Sequence, residues 1–321
     1  MKLLYIFFFI TIFSCEAQKS KCFISETPIH NISTTPVYKM ITDTVDNKIV
    51  WADEYKYIDS IDMSWITYLS DGLKIRGLLV KPKKPGNYPC VIFNRGGNRN
   101  TGSLTVYNAV ETMGKLAKEG YVVIGSQYRG NGGSEGHEEF GGKDINDVLI
   151  LPEVLAEIES ADTSRIGLYG WSRGGMMTYL ALSKSTQFKV AVVGGGESDL
   201  TTINRPKMEK FVYQELIPNY EKNKDSELKK RSAIHFVDQF PKDVPILMLH
   251  GNADWRVRSE KALQLALEFE KYRIPYRLKI FEGGNHGLTK FRKEKDKEVL
   301  NWFNTYLKNE RPIPNMSFKR K

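Results

Sequence analysis

Ser172 lies in Gly170-Trp171-Ser172-Arg173-Gly174-Gly175, after the apolar run Arg165-Ile166-Gly167-Leu168-Tyr169 and before the helix-forming run 176–182. A serine hydroxyl attacks a carbonyl when a base takes its proton and donors receive the charge that develops on the carbonyl oxygen. A sharp strand-to-helix turn meets part of that need. It lifts the hydroxyl clear of the sheet, and the first helical amide, here the Arg173 N–H, faces the developing oxyanion. Flanking glycines accept the dihedrals that such a turn imposes.

The base should be one of five histidines. His286, in Gly283-Gly284-Asn285-His286-Gly287, directly follows the strand-like run that ends at Phe281, and it is the expected general base. His30 lies in the leading segment, His235 in a polar insert and His137 in a glycine-rich loop, while His250 ends a strand and reads as loop support. The acid that orients the imidazole should come from a strand end between serine and histidine, which selects Asp254 in Leu249-His250-Gly251-Asn252-Ala253-Asp254. Asp199, after Gly194-Gly195-Gly196, is the rival; it comes one strand too early and reads as a loop or cap residue. The turn Asn94-Arg95-Gly96-Gly97-Asn98 offers the Gly97 N–H as second oxyanion donor, with the Arg95 side chain either assisting or held in an ion pair. His137-Glu138-Glu139 lacks the second histidine of a zinc-binding helix, so neither a metal nor another cofactor is expected.

A scaffold must bring these distant residues to one edge. Trp65 to Leu69, Asp71-Gly72 and Leu73 to Val80 predict a hairpin with an Asp-Gly turn. Strands are then expected at 89–94, 121–127, 165–169, 188–193, 244–249 and 276–281, with helices at 103–118, 143–159, 172–184, 259–272 and 288–307. This alternation predicts an α/β class protein with the α/β-hydrolase fold: a mainly parallel twisted sheet of about eight strands, covered by helices on both faces. The insert 198–239, rich in Lys and Glu but carrying Met208, Phe211, Val212, Leu216 and Ile217, follows the strand after the elbow helix and is expected to act as a lid over the substrate pocket.

Taken together, Asn94-Arg95-Gly96-Gly97, Tyr128-Arg129-Gly130-Asn131-Gly132-Gly133-Ser134, Gly141-Gly142-Lys143-Asp144-Ile145-Asn146-Asp147, the elbow, His250 to Asp254 and Gly284-Asn285-His286 resemble the catalytic domain of the prolyl oligopeptidase family of serine hydrolases. The resemblance runs over roughly residues 65–308. It implies Ser172 as nucleophile, His286 as base, Asp254 as orienting acid, and a second oxyanion contact at the Arg95-Gly96-Gly97 turn. Relatives often carry tyrosine or histidine where this chain has Arg95. Many family peptidases also carry a β-propeller, whereas residues 19–60 are about one blade long, a blade taking roughly 40 residues. No propeller is therefore expected, and acyl transfer is better supported than proline specificity. The expected substrate is a short peptide or a small molecule, with carboxylesterase or sugar-deacetylase activity as the alternative and a non-catalytic binding lipoprotein as a minor one. Arg129 is expected to hold neighbouring loops by charged hydrogen bonds.

The ends of the chain suggest location. Lys2, the apolar run Leu3 to Phe13 and the small and polar residues after it read as an export signal over 1–18, too short for a membrane span. Ile12-Phe13-Ser14-Cys15 resembles a bacterial lipobox, so Cys15 is the expected lipidation site and a lipid anchor the expected membrane contact; simple cleavage near Ala17 is the alternative. Residues 19–60 read as a tether and leading segment, 61–310 as the catalytic domain and 311–321 as a basic tail. The net charge of +9 comes from scattered lysines without an aromatic-interleaved stripe, which argues against a nucleic-acid partner. A Cys22–Cys90 bridge is compatible with an oxidising compartment but is not demanded by the sequence.

Overall fold

The computed structural model describes residues 21–317. Eleven strands form: β1 (Phe23–Pro28), β2 (Thr42–Val45), β3 (Lys48–Trp51), β4 (Ile61–Ser70), β5 (Leu73–Pro82), β6 (Tyr88–Asn94), β7 (Val122–Ser126), β8 (Ala161–Trp171), β9 (Phe188–Gly194), β10 (Ile246–Gly251) and β11 (Tyr276–Phe281). Nine of them build one sheet in the order β1-β4-β5-β7-β6-β8-β9-β10-β11, and β2 and β3 make a separate hairpin. From β7 through β11 neighbouring strands are parallel, while β1, β4 and β5 pair antiparallel on the other side. The Asp71-Gly72 hairpin forms as expected, pairing Ser70 with Leu73.

Burial follows from this arrangement. The parallel strands β6, β7 and β10 are buried almost throughout, whereas β4 alternates, because helices cover both faces of a parallel sheet. Along β6, Cys90 and Ile92 face one core layer with Met176, Leu180, Leu265 and Phe269. Val91 and Phe93 face the other, with Met113, Leu116, Trp302 and Phe303.

The leading segment is more ordered than a tether. Phe23–Pro28 adds a ninth strand to the edge of β4, and Asp53–Ser60 forms a 3-10 helix whose Tyr55 hydroxyl bonds Glu111. The helix expected over 103–118 starts later, where Thr105 and Asn108 form a reciprocal cap. Pro152 falls inside the segment expected as one helix over 143–159, which runs as short turns, Asn146–Leu149 and Leu151–Leu155. Cys90 is a free buried thiol, pushed up to about 12 by burial, so no bridge to Cys22 forms. Cys15 and the expected signal lie outside the described residues.

The parallel strands end together. The chain reverses its direction of sheet growth after β7, so a crevice opens between the carboxyl ends of β6 and β8, where such sheets bind ligands.

Candidate active site

Ser172 links β8 to the helix Arg173–Lys184 with φ 59° and ψ −122°. Such a conformation costs a non-glycine residue about 1–3 kcal/mol and persists only when its surroundings enforce it. Here the Ser172 N–H donates to the Gly194 carbonyl at 2.9 Å. The Ser172 carbonyl accepts from the N–H groups of Gly175 (2.9 Å), Met176 (3.4 Å) and Glu197 (3.2 Å). Gly174 lets the elbow helix approach β6, since a Cβ there would sit 1.9 Å from the Asn94 carbonyl oxygen.

His286 stands over the same β9 end. A Cβ on Gly195 would lie 3.3 Å from its Nδ1, so the ring covers the Gly194-Gly195 turn that also holds Ser172. His286 Nδ1 is 2.7 Å from Asp254 Oδ2. An ionised carboxylate only accepts, so Nδ1 carries the proton and Nε2 is left with a lone pair. Asp254 Oδ1 accepts from the N–H groups of Arg256 (2.8 Å) and Val257 (3.1 Å). Burial would raise the Asp254 pKa, but hydrogen bonds from His250, His286 and the Val257 amide outweigh it and hold the carboxyl well below the usual range. His250 Nε2 lies 2.8 Å from the Val257 carbonyl and 3.4 Å from Asp254 Oδ2, so His250 braces the acid's loop. The Trp171 Nε1 donates to the His286 carbonyl at 2.9 Å.

The turn after β6 is held carbonyl by carbonyl. The Tyr128 hydroxyl donates to the Arg95 carbonyl at 3.1 Å, Arg95 Nη1 to the Gly96 carbonyl at 3.1 Å, and Arg173 Nη1 to the Gly97 carbonyl at 3.1 Å. In a trans peptide N–H and C=O point in opposite directions. Pinning the Gly96 carbonyl to the guanidinium therefore turns the Gly97 N–H away from Arg95. Gly97 has φ 74°, and a Cβ there would lie 2.0 Å from the Thr101 carbonyl oxygen, so this turn requires glycine.

Arg95 departs from one sequence-based expectation. Its side chain is 1% exposed, and it bonds the carbonyls of Gln127, Arg99, Gly96 and Thr101 while stacking on Tyr128. With its N–H groups engaged on main-chain carbonyls, it shapes the turn after β6, is not free to serve as an oxyanion donor and forms no surface ion pair. Arg173 is buried as well, its guanidinium bonded to Glu138 and Asp144. Arg129 holds Asp147 and Asp71 together, as expected of a loop clamp.

A cavity of about 170 Å³ opens beside Ser172, lined by Gly97, Phe140, Arg173, Glu197, Tyr213, Arg256, Val257 and Lys261 among others. The insert 198–239 supplies one wall through Thr202 to Arg205, Met208 and Tyr213, and the Arg99–Glu215 ion pair ties that wall to the turn after β6. Asp199 caps the start of the insert by accepting from Thr201 and Thr202. His30, His137 and His235 line other hollows. His250 supports the loop as the sequence suggested, whereas the Trp171–His286 tie and the Glu197–Lys261 pair at 2.7 Å were not legible as site features in the sequence.

Residues 109–310 match the model of the prolyl oligopeptidase family. The uncharacterized peptidase YtmA of Bacillus subtilis is 31% identical over 65% of this chain and 80% of its own length. The uncharacterized peptidase YuxL of the same bacterium is 26% identical over 74% of this chain, which spans only 38% of that longer protein. Among solved structures, a Mycobacterium tuberculosis puromycin-hydrolyzing peptidase superposes with a TM-score of 0.67 at 21% identity, over 83% of this chain and 43% of that one. The Pyrococcus horikoshii acylaminoacyl peptidase gives 0.65 at 22%, over 86% and 47%. At these identities the two structures share the α/β-hydrolase fold with this chain.

Proposed function

This chain belongs to the prolyl oligopeptidase family of serine hydrolases, and from that premise we propose that it cleaves peptide or ester bonds through an acyl-enzyme on Ser172. His286 Nε2 takes the Ser172 proton as Oγ attacks the carbonyl carbon, and returns it to the leaving nitrogen or oxygen as the tetrahedral intermediate collapses. Water repeats the cycle against the acyl-serine, with His286 again as base, releasing the acid and restoring the serine. Asp254 keeps the imidazole in the tautomer that leaves Nε2 free and offsets the charge it gains. The Arg173 and Gly97 main-chain N–H groups receive the oxyanion charge, in an orientation fixed before substrate arrives. The observation that carries this reading is the 2.7 Å His286–Asp254 pair standing over the turn that holds Ser172.

Peptide-bond cleavage is the favoured activity, because the similar proteins named above are peptidases by name; ester cleavage is the second reading, since the same groups perform it. The test is labelling by a fluorophosphonate, with parallel kinetics on dipeptide amides, aryl acetates and acetylated sugars. Stoichiometric labelling that Ser172→Ala abolishes is expected. A folded protein that neither labels nor turns over any of these substrates would overturn the reading. The enzyme is further proposed to act outside the cytosol, anchored through lipid on Cys15. Detergent-phase partitioning that Cys15→Ser abolishes would support this, and recovery of the native protein in the cytosolic fraction would refute it.

A further inference from the structure

The cavity beside Ser172 contains two cations that no carboxylate answers. Arg173 is matched by Glu138 and Asp144. Lys261 is matched by Glu197 at 2.7 Å and also donates to the Asp199 carbonyl at 2.5 Å. Arg205 and Arg256 make no ion pair and no side-chain hydrogen bond among the described residues. Instead their guanidinium carbons lie 5.3 and 5.4 Å from the centroid of the Trp255 ring, which is 67% exposed. One arginine comes from the insert, immediately before Pro206, and the other from the turn that carries Asp254. Both line the cavity.

The position of the cavity says which half of a substrate it takes. His286 must protonate the leaving group, so the leaving group lies on the histidine side. The cavity is lined by Ser172, Arg173 and Gly97 but not by His286, and therefore receives the acyl half. Its volume of about 170 Å³ equals that of five or six waters at roughly 30 Å³ each, enough for a short acyl group or one side chain.

We propose that this cavity selects acyl groups carrying a carboxylate, which docks against Arg205 and Arg256 at its rim. A planar guanidinium answers a carboxylate with paired hydrogen bonds, and an aromatic face under each cation holds it in place without neutralising it. Glu197 would repel such a group were it unpaired, but Lys261 covers it. This inference rests on the acyl-enzyme reading above.

Two matched pairs test it: acetyl-Glu-p-nitroanilide against acetyl-Gln-p-nitroanilide, and 4-nitrophenyl hydrogen glutarate against 4-nitrophenyl valerate. The first carries the carboxylate on an amino-acid side chain, the second on a simple dicarboxylic acyl chain, so the arms separate the two sources. Where neither anilide is turned over, the peptide arm is read as protection of Ser172 from the fluorophosphonate by acetyl-Glu-amide against acetyl-Gln-amide. An advantage of about tenfold for the acid in at least one arm is expected for a half-exposed pair of guanidiniums. It should shrink between 0.05 and 0.5 M salt, about 14 to 4 Å of screening length. Arg205→Gln should collapse the ratio toward one, and Arg205→Lys should keep part of it, which a merely structural arginine would not do. A ratio of one or below in both arms, or a preference that survives Arg205→Gln, would overturn the proposal while labelling of Ser172 leaves the hydrolase reading intact. Failure of labelling itself would remove both.

Discussion

The indole of Trp171 donates a 2.9 Å hydrogen bond to the carbonyl of His286, so the residue preceding Ser172 holds the loop that bears the proposed base. A chain separation of 115 residues is closed by one donor. Trp171→Phe keeps the ring and removes that donor. We expect kcat to fall about fivefold, KM to change less, and labelling by a fluorophosphonate to slow in step with kcat, from a loss of roughly 1 kcal/mol in positioning. Steady-state kinetics beside a labelling time course check this; unchanged kcat would show that the loop needs no such tie.

Ser172→Ala and His286→Ala should each lower turnover by about 10⁴-fold or more, and the double variant should lose little further, because the groups act as a unit. Asp254→Asn should cost about 10⁴-fold by favouring the wrong imidazole tautomer. Additive losses in the double variant would argue against a shared proton path.

Asp254 also predicts a pH dependence of stability. Its folded-state pKa is depressed, so the unfolded chain binds its proton more readily at low pH. The stability it contributes is complete above its unfolded value of about 3.9 and declines as pH falls from there toward the folded value. The difference in urea unfolding free energy between the native protein and Asp254→Asn should be constant from pH 7 to about 5 and shrink below about 4. A difference independent of pH would contradict the assignment.

The Arg95-Gly96-Gly97 turn, proposed as the second oxyanion contact, predicts a separation of kcat from KM. Tyr128→Phe removes the one hydroxyl that holds the Arg95 carbonyl and leaves the ring between Arg95 and Arg173 in place. Stability should fall by about 1 kcal/mol, and kcat should fall several-fold with KM nearly unaltered, because the turn matters most when the oxygen becomes charged. A rise in KM alone would assign the turn to ground-state binding.

Gly174→Ala forces a methyl to within 1.9 Å of the Asn94 carbonyl oxygen. We expect a loss of about 3 kcal/mol in stability from overpacking, read as a lower urea midpoint, with activity of the remaining folded fraction impaired because the elbow helix is pushed from β6.

Much of this site could be read before the structure, because its residue types occupy positions that few others tolerate. A serine between glycines at a strand end, an aspartate after His250-Gly251-Asn252-Ala253 and a histidine in a glycine loop each mark a backbone event as well as a candidate for chemistry. The apolar runs of β6, β7 and β10 announced a sheet buried on both faces. β1 gave no such signal: Ser25, Glu26 and Thr27 are exposed, and the strand exists through main-chain pairing to β4. The role of Arg95 was hidden for a related reason. Its partners are carbonyls, and residue identity does not encode where a carbonyl points. Glu197 and Lys261 meet across 64 positions with no motif between them.

The Ser172 carbonyl accepts amides from both the elbow helix and the segment after β9, so the Ser172 backbone is a junction of the central sheet. Its geometry cannot relax by loosening a loop. In rising denaturant, activity and global fold should vanish together, leaving no inactive but folded population. The cavity wall of 202–208 makes local main-chain bonds, from the Met208 and Glu209 N–H groups to the Arg205 carbonyl, so single exchanges of its cavity-facing side chains are expected to leave the sheet intact. On the proposed function, chemistry and selectivity would then sit under separate mutational control, the first bound to the sheet and the second to one wall.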